Sequence, residues 1–120
     1  KLSAVVLLTI MVINISHAEE IIDITKIMSE RKIGSDDAPI KIEKFASFTC
    51  NYCANFEVNV MPQIKKEFID KGIVQVIYKP FPLDEFSLAA EVMVRCSPEN
   101  AFFDLYGALF AKQQLFFQFC

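Results

Sequence analysis

Several regimes of hydrophobic patterning follow one another along the chain. From Leu2 to Ile15 the residues are nearly all apolar behind a lone Lys1, and the run closes in Ser16-His17-Ala18 before Glu19-Glu20. That pattern predicts a secretory signal over residues 1–18, cleaved ahead of Glu19. An uncleaved membrane anchor is the competing reading, but a continuous span needs about 20 apolar residues and the two glutamates come too soon. With no Met before Lys1, the charged stretch ahead of the run is expected to be longer than shown.

Over residues 19–33, Ile21, Ile24, Ile27 and Met28 fall near helical spacing, predicting a short lead-in helix or docked arm. Gly34-Ser35-Asp36-Asp37-Ala38-Pro39 gathers turn formers, and Pro39 pushes Ala38 toward an extended conformation, so a strand should start near Ile40. Ile40 to Phe48 first alternates, Ile40, Ile42 and Lys44 against Lys41, Glu43 and Phe45, then turns uniformly apolar as a strand entering a buried sheet would. Thr49 offers a hydroxyl to cap a helix. Cys53, Phe56, Val60, Ile64 and Phe68 then recur at steps of three or four, marking one helix face that reaches about Lys71 and ends at Gly72.

Pro62 should bend that helix without breaking it. Ile73 to Tyr78 is rich in β-branched residues and reads as a second strand, so strand, helix and strand imply a right-handed parallel βαβ unit. Beyond Pro80-Phe81-Pro82, Phe86 to Cys96 and Asn100 to Phe119 read as helices, the second following Pro98 and rich in Phe. No third strand, internal repeat or low-complexity linker is visible. The expected fold class is α/β, with one small domain over residues 34–120.

Composition narrows the chemistry. The 120 residues are 53% hydrophobic and 22% charged, which suits a globular or exported domain rather than a disordered one. The net charge is −3, and removal of Lys1 with the signal makes it more negative, which argues against a nucleic-acid partner. The Lys65-Lys66 pair is broken at once by Glu67 and reads as a solvated helix face. His17, the only histidine, lies in the expected signal, so the mature chain has no Ser-His, Cys-His or His-metal chemistry of the ordinary kinds. Gly34, Gly72 and Gly107 are too scattered for a dinucleotide fingerprint or a phosphate loop, so no nucleotide cofactor is expected.

Cys50-Asn51-Tyr52-Cys53 remains, a C-x-x-C at the junction of the first strand and the following helix, the context that makes such a motif thioredoxin-like. At a helix N-terminus the unpaired amides favour a thiolate, which makes Cys50 both nucleophile and leaving group. Cys53, one turn later on the side of Phe56, would resolve the mixed disulfide. Asn51 and Tyr52 line the mouth and should tune the potential. A half zinc site and a purely structural bridge are the alternatives. Zinc needs four ligands with only Cys96 and Cys120 left to complete them, and a bridge across two residues is strained and adds little loop entropy. Cys96, on a face with Ala89, Val92 and Met93, reads as a small buried hydrophobe, against a second redox role. Cys120 reads as exposed, or able to pair with another chain.

Further landmarks surround the motif: Gly34-Ser35 with Ala38-Pro39 before the strand, and Phe45-Ala46-Ser47-Phe48-Thr49 leading through Cys50-Asn51-Tyr52-Cys53 into Ala54-Asn55-Phe56. Met61-Pro62, Phe81-Pro82-Leu83-Asp84, Ala89-Ala90 ahead of Cys96, and Leu109-Phe110-Ala111 with Gln113 follow in order. Together these resemble the DsbA-like thiol–disulfide oxidoreductases from Gly34 to Gln114. The resemblance implies a thioredoxin fold with a helical insert, a place in the bacterial cell envelope, and oxidation or isomerisation of cysteines in exported proteins. It implies no cofactor beyond the Cys50–Cys53 disulfide and no metal. The partners it implies are cysteine-containing exported proteins and an unidentified redox partner, with no membrane contact after signal removal.

Two departures stand out. Six residues before Cys50, where relatives often carry an acid beneath the site, this chain has Lys44, with Glu43 beside it. A buried lysine there would favour thiolate further, while Glu43 would face the other way in the strand. Moreover, no proline follows Pro98, so the family's later strands and their cis-proline loop are not in the sequence, which is expected to stop inside the helical insert. A truncated non-catalytic remnant, one part of a split oxidoreductase, and a peptide-binding module without turnover are therefore the alternatives to an enzyme.

Overall fold

The computed structural model describes residues 23–117, with side chains through Leu115. The expected signal, the first residues of the lead-in segment and Cys120 lie outside the described residues. Asp23 accepts hydrogen bonds at its carboxylate from the Thr25 and Lys26 amides, 3.0 and 3.2 Å, and so caps a one-turn helix α1, Ile24–Ile27. The lead-in helix is thus shorter than its apolar spacing predicts. Ile24 and Met28 are exposed, so that spacing has little surface to cover.

The chain instead enters strand β1, Arg31–Ile33. Strand β2 is Ile40–Ala46 and strand β3 is Val74–Pro80, in a sheet ordered β1-β3-β2. β2 and β3 are parallel, Ile42 opposite Val76, as the βαβ reading requires. The third strand corrects the sequence reading: β1 runs antiparallel to β3, with Lys32 opposite Ile77. Three residues, two of them cationic, carry no alternation to detect. Gly34 makes the turn out of β1 with φ +107°, and a Cβ there would stand 2.6 Å from the Val74 carbonyl oxygen. Glycine is required at that approach. β2 stops at Ala46, so Ser47 and Phe48 belong to the loop that follows rather than to the strand.

Helix α2 runs from Asn51 to Ile69, α-helical over Asn51–Asn55 and Met61–Ile64 and π-helical over Phe56–Val60 and Lys65–Ile69. Each wide turn absorbs an extra residue and slips the inward face by one position. Met61 and Ile69 are consequently buried, whereas Val60 and Phe68, expected on the apolar face, are exposed. The first π turn closes from the Met61 amide to the Phe56 carbonyl, leaving Pro62 in the opening turn of the next α segment, where its missing donor costs least. Gly72, at φ +72°, ends the helix as expected.

Asp84 caps helix α3, Glu85–Arg95, by accepting from the Ser87 amide at 2.8 Å. A 3₁₀ turn, Glu99–Ala101, leads into helix α4, Phe102–Ala111. The single helix expected to Phe119 is interrupted at Lys112, whose φ of −106° and ψ of 12° leave helical geometry before helix α5, Gln113–Phe117. Phe102, Tyr106, Leu109 and Phe110 form the inward stripe of α4 and meet Phe48, Tyr78 and Val94 in one core. Phe48 stacks on Phe110 with ring centroids 4.7 Å apart, and Tyr106 meets Tyr78 edge-on at 5.0 Å. Arg95 donates to the carbonyls of Ile27 and Ser29, both at 3.2 Å, and so fastens the lead-in to α3.

Among the described residues no helix is long and apolar enough to cross a membrane. The outer edge of β2 has no strand beside it there, and Ile40, Ile42 and Phe45 are exposed.

Candidate functional site at Cys50 and Cys53

The loop Ser47-Phe48-Thr49 delivers Cys50 to the start of α2. Cys50 itself, rather than Thr49, takes the capping position, with φ −83° and ψ 115°. Its Sγ accepts from the Cys53 amide at 3.3 Å, and its carbonyl receives the Ala54 amide at 3.0 Å, opening the helix. Thr49 instead lies 3.0 Å from the Ser47 hydroxyl, and its own hydroxyl bonds the Asp84 carboxylate and helps hold that carboxyl below its usual range.

The two sulfurs are in unlike surroundings. Both thiols are free and partly buried. Cys50 is held below the ordinary thiol range, first by the hydrogen bond from the Cys53 thiol and then by the amides of Cys53 and Tyr52, which outweigh its own burial. Cys53 is pushed the other way, chiefly by burial and by the hydrogen bond to Cys50, although the Ser47 backbone and the Lys44 charge oppose the shift. Asn51 is exposed, with its side-chain oxygen 3.5 Å from Gln114 Nε2. Tyr52 is 88% exposed and helps line a pocket of about 300 Å³ together with Lys44, Phe45, Ala46, Cys53 and Phe56.

Several residues that the sequence reading gave no role hold this loop. The buried Ser47 hydroxyl donates to the Ser87 hydroxyl at 2.7 Å and receives the Leu83 amide at 3.3 Å, while Ser87 Oγ accepts from the Phe48 amide at 2.9 Å. Gln113, at the start of α5, donates through Nε2 to the carbonyls of Phe48 and Cys50, 2.8 and 3.0 Å away. Gln113→Leu therefore strips the buried Phe48 carbonyl of this donor and should lower stability by about 1–3 kcal/mol. The loosened loop should also raise the Cys50 pKa. Urea unfolding and the pH dependence of Cys50 alkylation check the two effects separately.

Below the cysteines, Lys44 on β2 pairs with Glu57 on α2, each side chain only 12% exposed. Glu43 points to the opposite side, as strand alternation requires, and pairs with Lys79 at 3.5 Å. Lys44 was expected buried beneath the site, whereas the sequence reading did not single out Glu57, four places after Cys53, as its partner. Cys96 overturns its expected burial. The inward face of α3 is Ser87, Glu91 and Val94, leaving Val92, Met93 and Cys96 exposed, because Arg95 holds Glu91 inward at 2.7 Å. Among the described residues no group of three His, Cys, Asp or Glu side chains is placed to hold a metal ion.

A parallel βαβ unit whose C-x-x-C opens the connecting helix defines a thioredoxin-like protein, and residues 26–118 match the family profile described as thioredoxin. The chain belongs to the thioredoxin family and is DsbA-like within it. It is 34% identical over 86 residues to disulfide bond formation protein D of Bacillus subtilis, covering 68% of this chain and 38% of that one. The structure resembles Wolbachia pipientis alpha-DsbA1, with TM-score 0.67 and 33% identity over 72% of this chain and 44% of that one. It also resembles oxidised BdbD from Bacillus subtilis, with TM-score 0.61 and 33% identity over 68% and 46% of the two chains. The chain thus spans less than half the length of these relatives.

Proposed function

We propose that the chain carries the redox couple of an exported thiol–disulfide oxidoreductase that forms or exchanges disulfides in other exported proteins, with Cys50 as nucleophile and Cys53 as resolving thiol. The observation that carries this is the place of Cys50 at the cap of α2, where its Sγ accepts from the Cys53 amide at 3.3 Å, and the opposite shifts of the two thiols, Cys50 down and Cys53 up, support it. Residues 1–18 direct export, 19–33 form the lead-in, and 34–120 contribute part of a DsbA-like domain. Asn51 and Tyr52, between the two cysteines, line the mouth of the site and tune the couple.

In the oxidising direction a substrate thiolate attacks Cys50 Sγ, the Cys50–Cys53 bond breaks, and Cys53 leaves as a thiolate that takes up a proton. A second substrate thiolate then attacks the substrate's own sulfur in the mixed disulfide, and Cys50 leaves as a thiolate. Two electrons have passed to the cysteine pair, and a redox partner must remove them before the next turn. No cofactor beyond the disulfide takes part.

The test is equilibration of the signal-free chain in glutathione buffers, with acid quenching and alkylation. The expected result is a reversible Cys50–Cys53 disulfide with a potential above thioredoxin's, about −270 mV. Thiols that titrate near the free value of about 8.5 would remove the proposal. The exposed edge of β2, with Ile40, Ile42 and Phe45 uncovered, favours a second reading: a non-catalytic remnant, or one part of a split oxidoreductase whose chemistry needs another polypeptide against that edge.

A further inference from the structure

Which backbone groups β2 leaves free follows from its bonds to β3. The Ile40 amide donates to the Ile73 carbonyl at 3.2 Å, and the Ala46 carbonyl receives the Phe81 amide at 2.9 Å. Backbone groups alternate sides along a strand, so those of Ile40, Ile42, Lys44 and Ala46 face β3, and those of Lys41, Glu43 and Phe45 face outward. Among the described residues no strand meets those outward groups. Ile40, Ile42 and Phe45 are 50%, 42% and 59% exposed along the same edge. Such an edge is a template for a further strand.

We propose that this edge is a self-association surface, on which β2 pairs antiparallel with β2 of a second copy about a two-fold axis through Ile42. The order Lys41-Ile42-Glu43 selects a second copy rather than an unrelated strand, because it is complementary to itself. With Ile42 on the axis, Lys41 lies opposite the second copy's Glu43, and Glu43 opposite its Lys41. Both pairs consist of outward-facing residues, so each exchanges both backbone hydrogen bonds and sets opposite charges side by side. Ile42 meets Ile42 in the non-hydrogen-bonded position, where side chains come closest. Phe45 falls opposite Pro39, which has no amide to donate, so the ladder ends there with one ring against the other.

The neighbouring registers are worse matched. An axis through Lys41 sets lysine against lysine, and one through Glu43 sets glutamate against glutamate. An axis through Lys44 brings two lysines together and leaves Glu43 against Phe45. An axis between two residues opposes outward backbone groups with groups already bonded to β3. Within the chain Glu43 meets Lys79 at 3.5 Å, so in the joined sheet it lies between two cations. The pairing is closed by its own symmetry, joining β1-β3-β2 to its reversed copy in one continuous sheet rather than a fibre. It concerns assembly, and stands independently of the chemistry at Cys50 and Cys53.

The test is sedimentation equilibrium of the signal-free chain, kept reduced so that no intermolecular disulfide contributes. Concentrations run up to about 1 mM, because one strand pair lies at the weak end of protein interfaces. Lys41 and Glu43 are both exposed, and Lys41→Glu and Glu43→Lys leave the backbone bonds to β3 in place. Either variant alone opposes like charges at both pairs and should weaken the dimer about tenfold. An equimolar mixture of the two variants places opposite charges at both pairs between unlike chains and should return to wild-type strength. The double variant Lys41→Glu/Glu43→Lys should do the same, and added salt should narrow all these differences. A wild-type chain that stays monomeric across the range overturns the proposal. So does a dimer whose strength ignores the single exchanges, or one that neither mixing nor the double variant restores.

Discussion

Cys53→Ser should convert the chain into a trap: mixed disulfides between Cys50 and a cysteine peptide should accumulate and persist until a reductant is added. Cys50 remains the more acidic and accessible thiol at the head of α2, so it still enters exchange. The intramolecular thiol that would expel the peptide is gone, and serine cannot replace it. Cys50→Ser should do the reverse. Its remaining site thiol, Cys53, is held protonated chiefly by burial, so adduct formation there should be slower by on the order of a hundredfold at neutral pH. Non-reducing electrophoresis with peptide mapping reads both. Equal trapping by the two variants would contradict the assignment of nucleophile and resolving thiol. Cys96 is exposed, and both it and Cys120 must be replaced first, so that their own adducts are not counted.

Phe110→Ala should cost about 3–5 kcal/mol, the range for removing a buried aromatic ring, and should shift the urea midpoint accordingly. Phe110 is 3% exposed, stacks on Phe48 at 4.7 Å and meets Tyr106 at 5.0 Å. The loss reaches the site because Phe48 lies in the loop that presents Cys50. With its stacking partner gone, the ring can move, and the Phe48 carbonyl held by Gln113 and the amide held by Ser87 move with it. Cys50 should therefore alkylate more slowly at neutral pH even under conditions where the variant remains folded. Phe110→Leu restores most of the volume and should recover more than half of both effects. A large stability loss with unchanged Cys50 reactivity would mean the loop is fixed by its hydrogen bonds alone.

The contrast between Phe110 and Phe68 shows what residue patterns can and cannot reveal. The apolar stripe of α4 follows an ordinary 3.6-residue period, and its inward residues are those a regular helix would bury. In α2 the same reasoning places Val60 and Phe68 inward, yet two π turns shift burial to Met61 and Ile69. Nothing in hydrophobic spacing announces an extra residue per turn, because spacing records which residues are apolar and not which carbonyl each amide pairs with. β1 was invisible for a related reason. Its pairing energy comes from β3, more than forty residues away, and not from its own composition.

Sequence by itself determined the two strand runs with a helix between them, the placement of Cys50-Asn51-Tyr52-Cys53 at their turn, and the glycine that ends the helix, because each is read from neighbours within a few residues, and a helical crossover between two strands then implies their parallel pairing. Only the tertiary structure decided what surrounds the sulfurs. Lys44 reaches Glu57 across 13 residues, Ser47 reaches Ser87 across 40, and Gln113 reaches Phe48 across 65. Such partners are chosen by how α2, α3 and α5 pack around the sheet and the Cys50 loop, and no periodic signal along the chain records them.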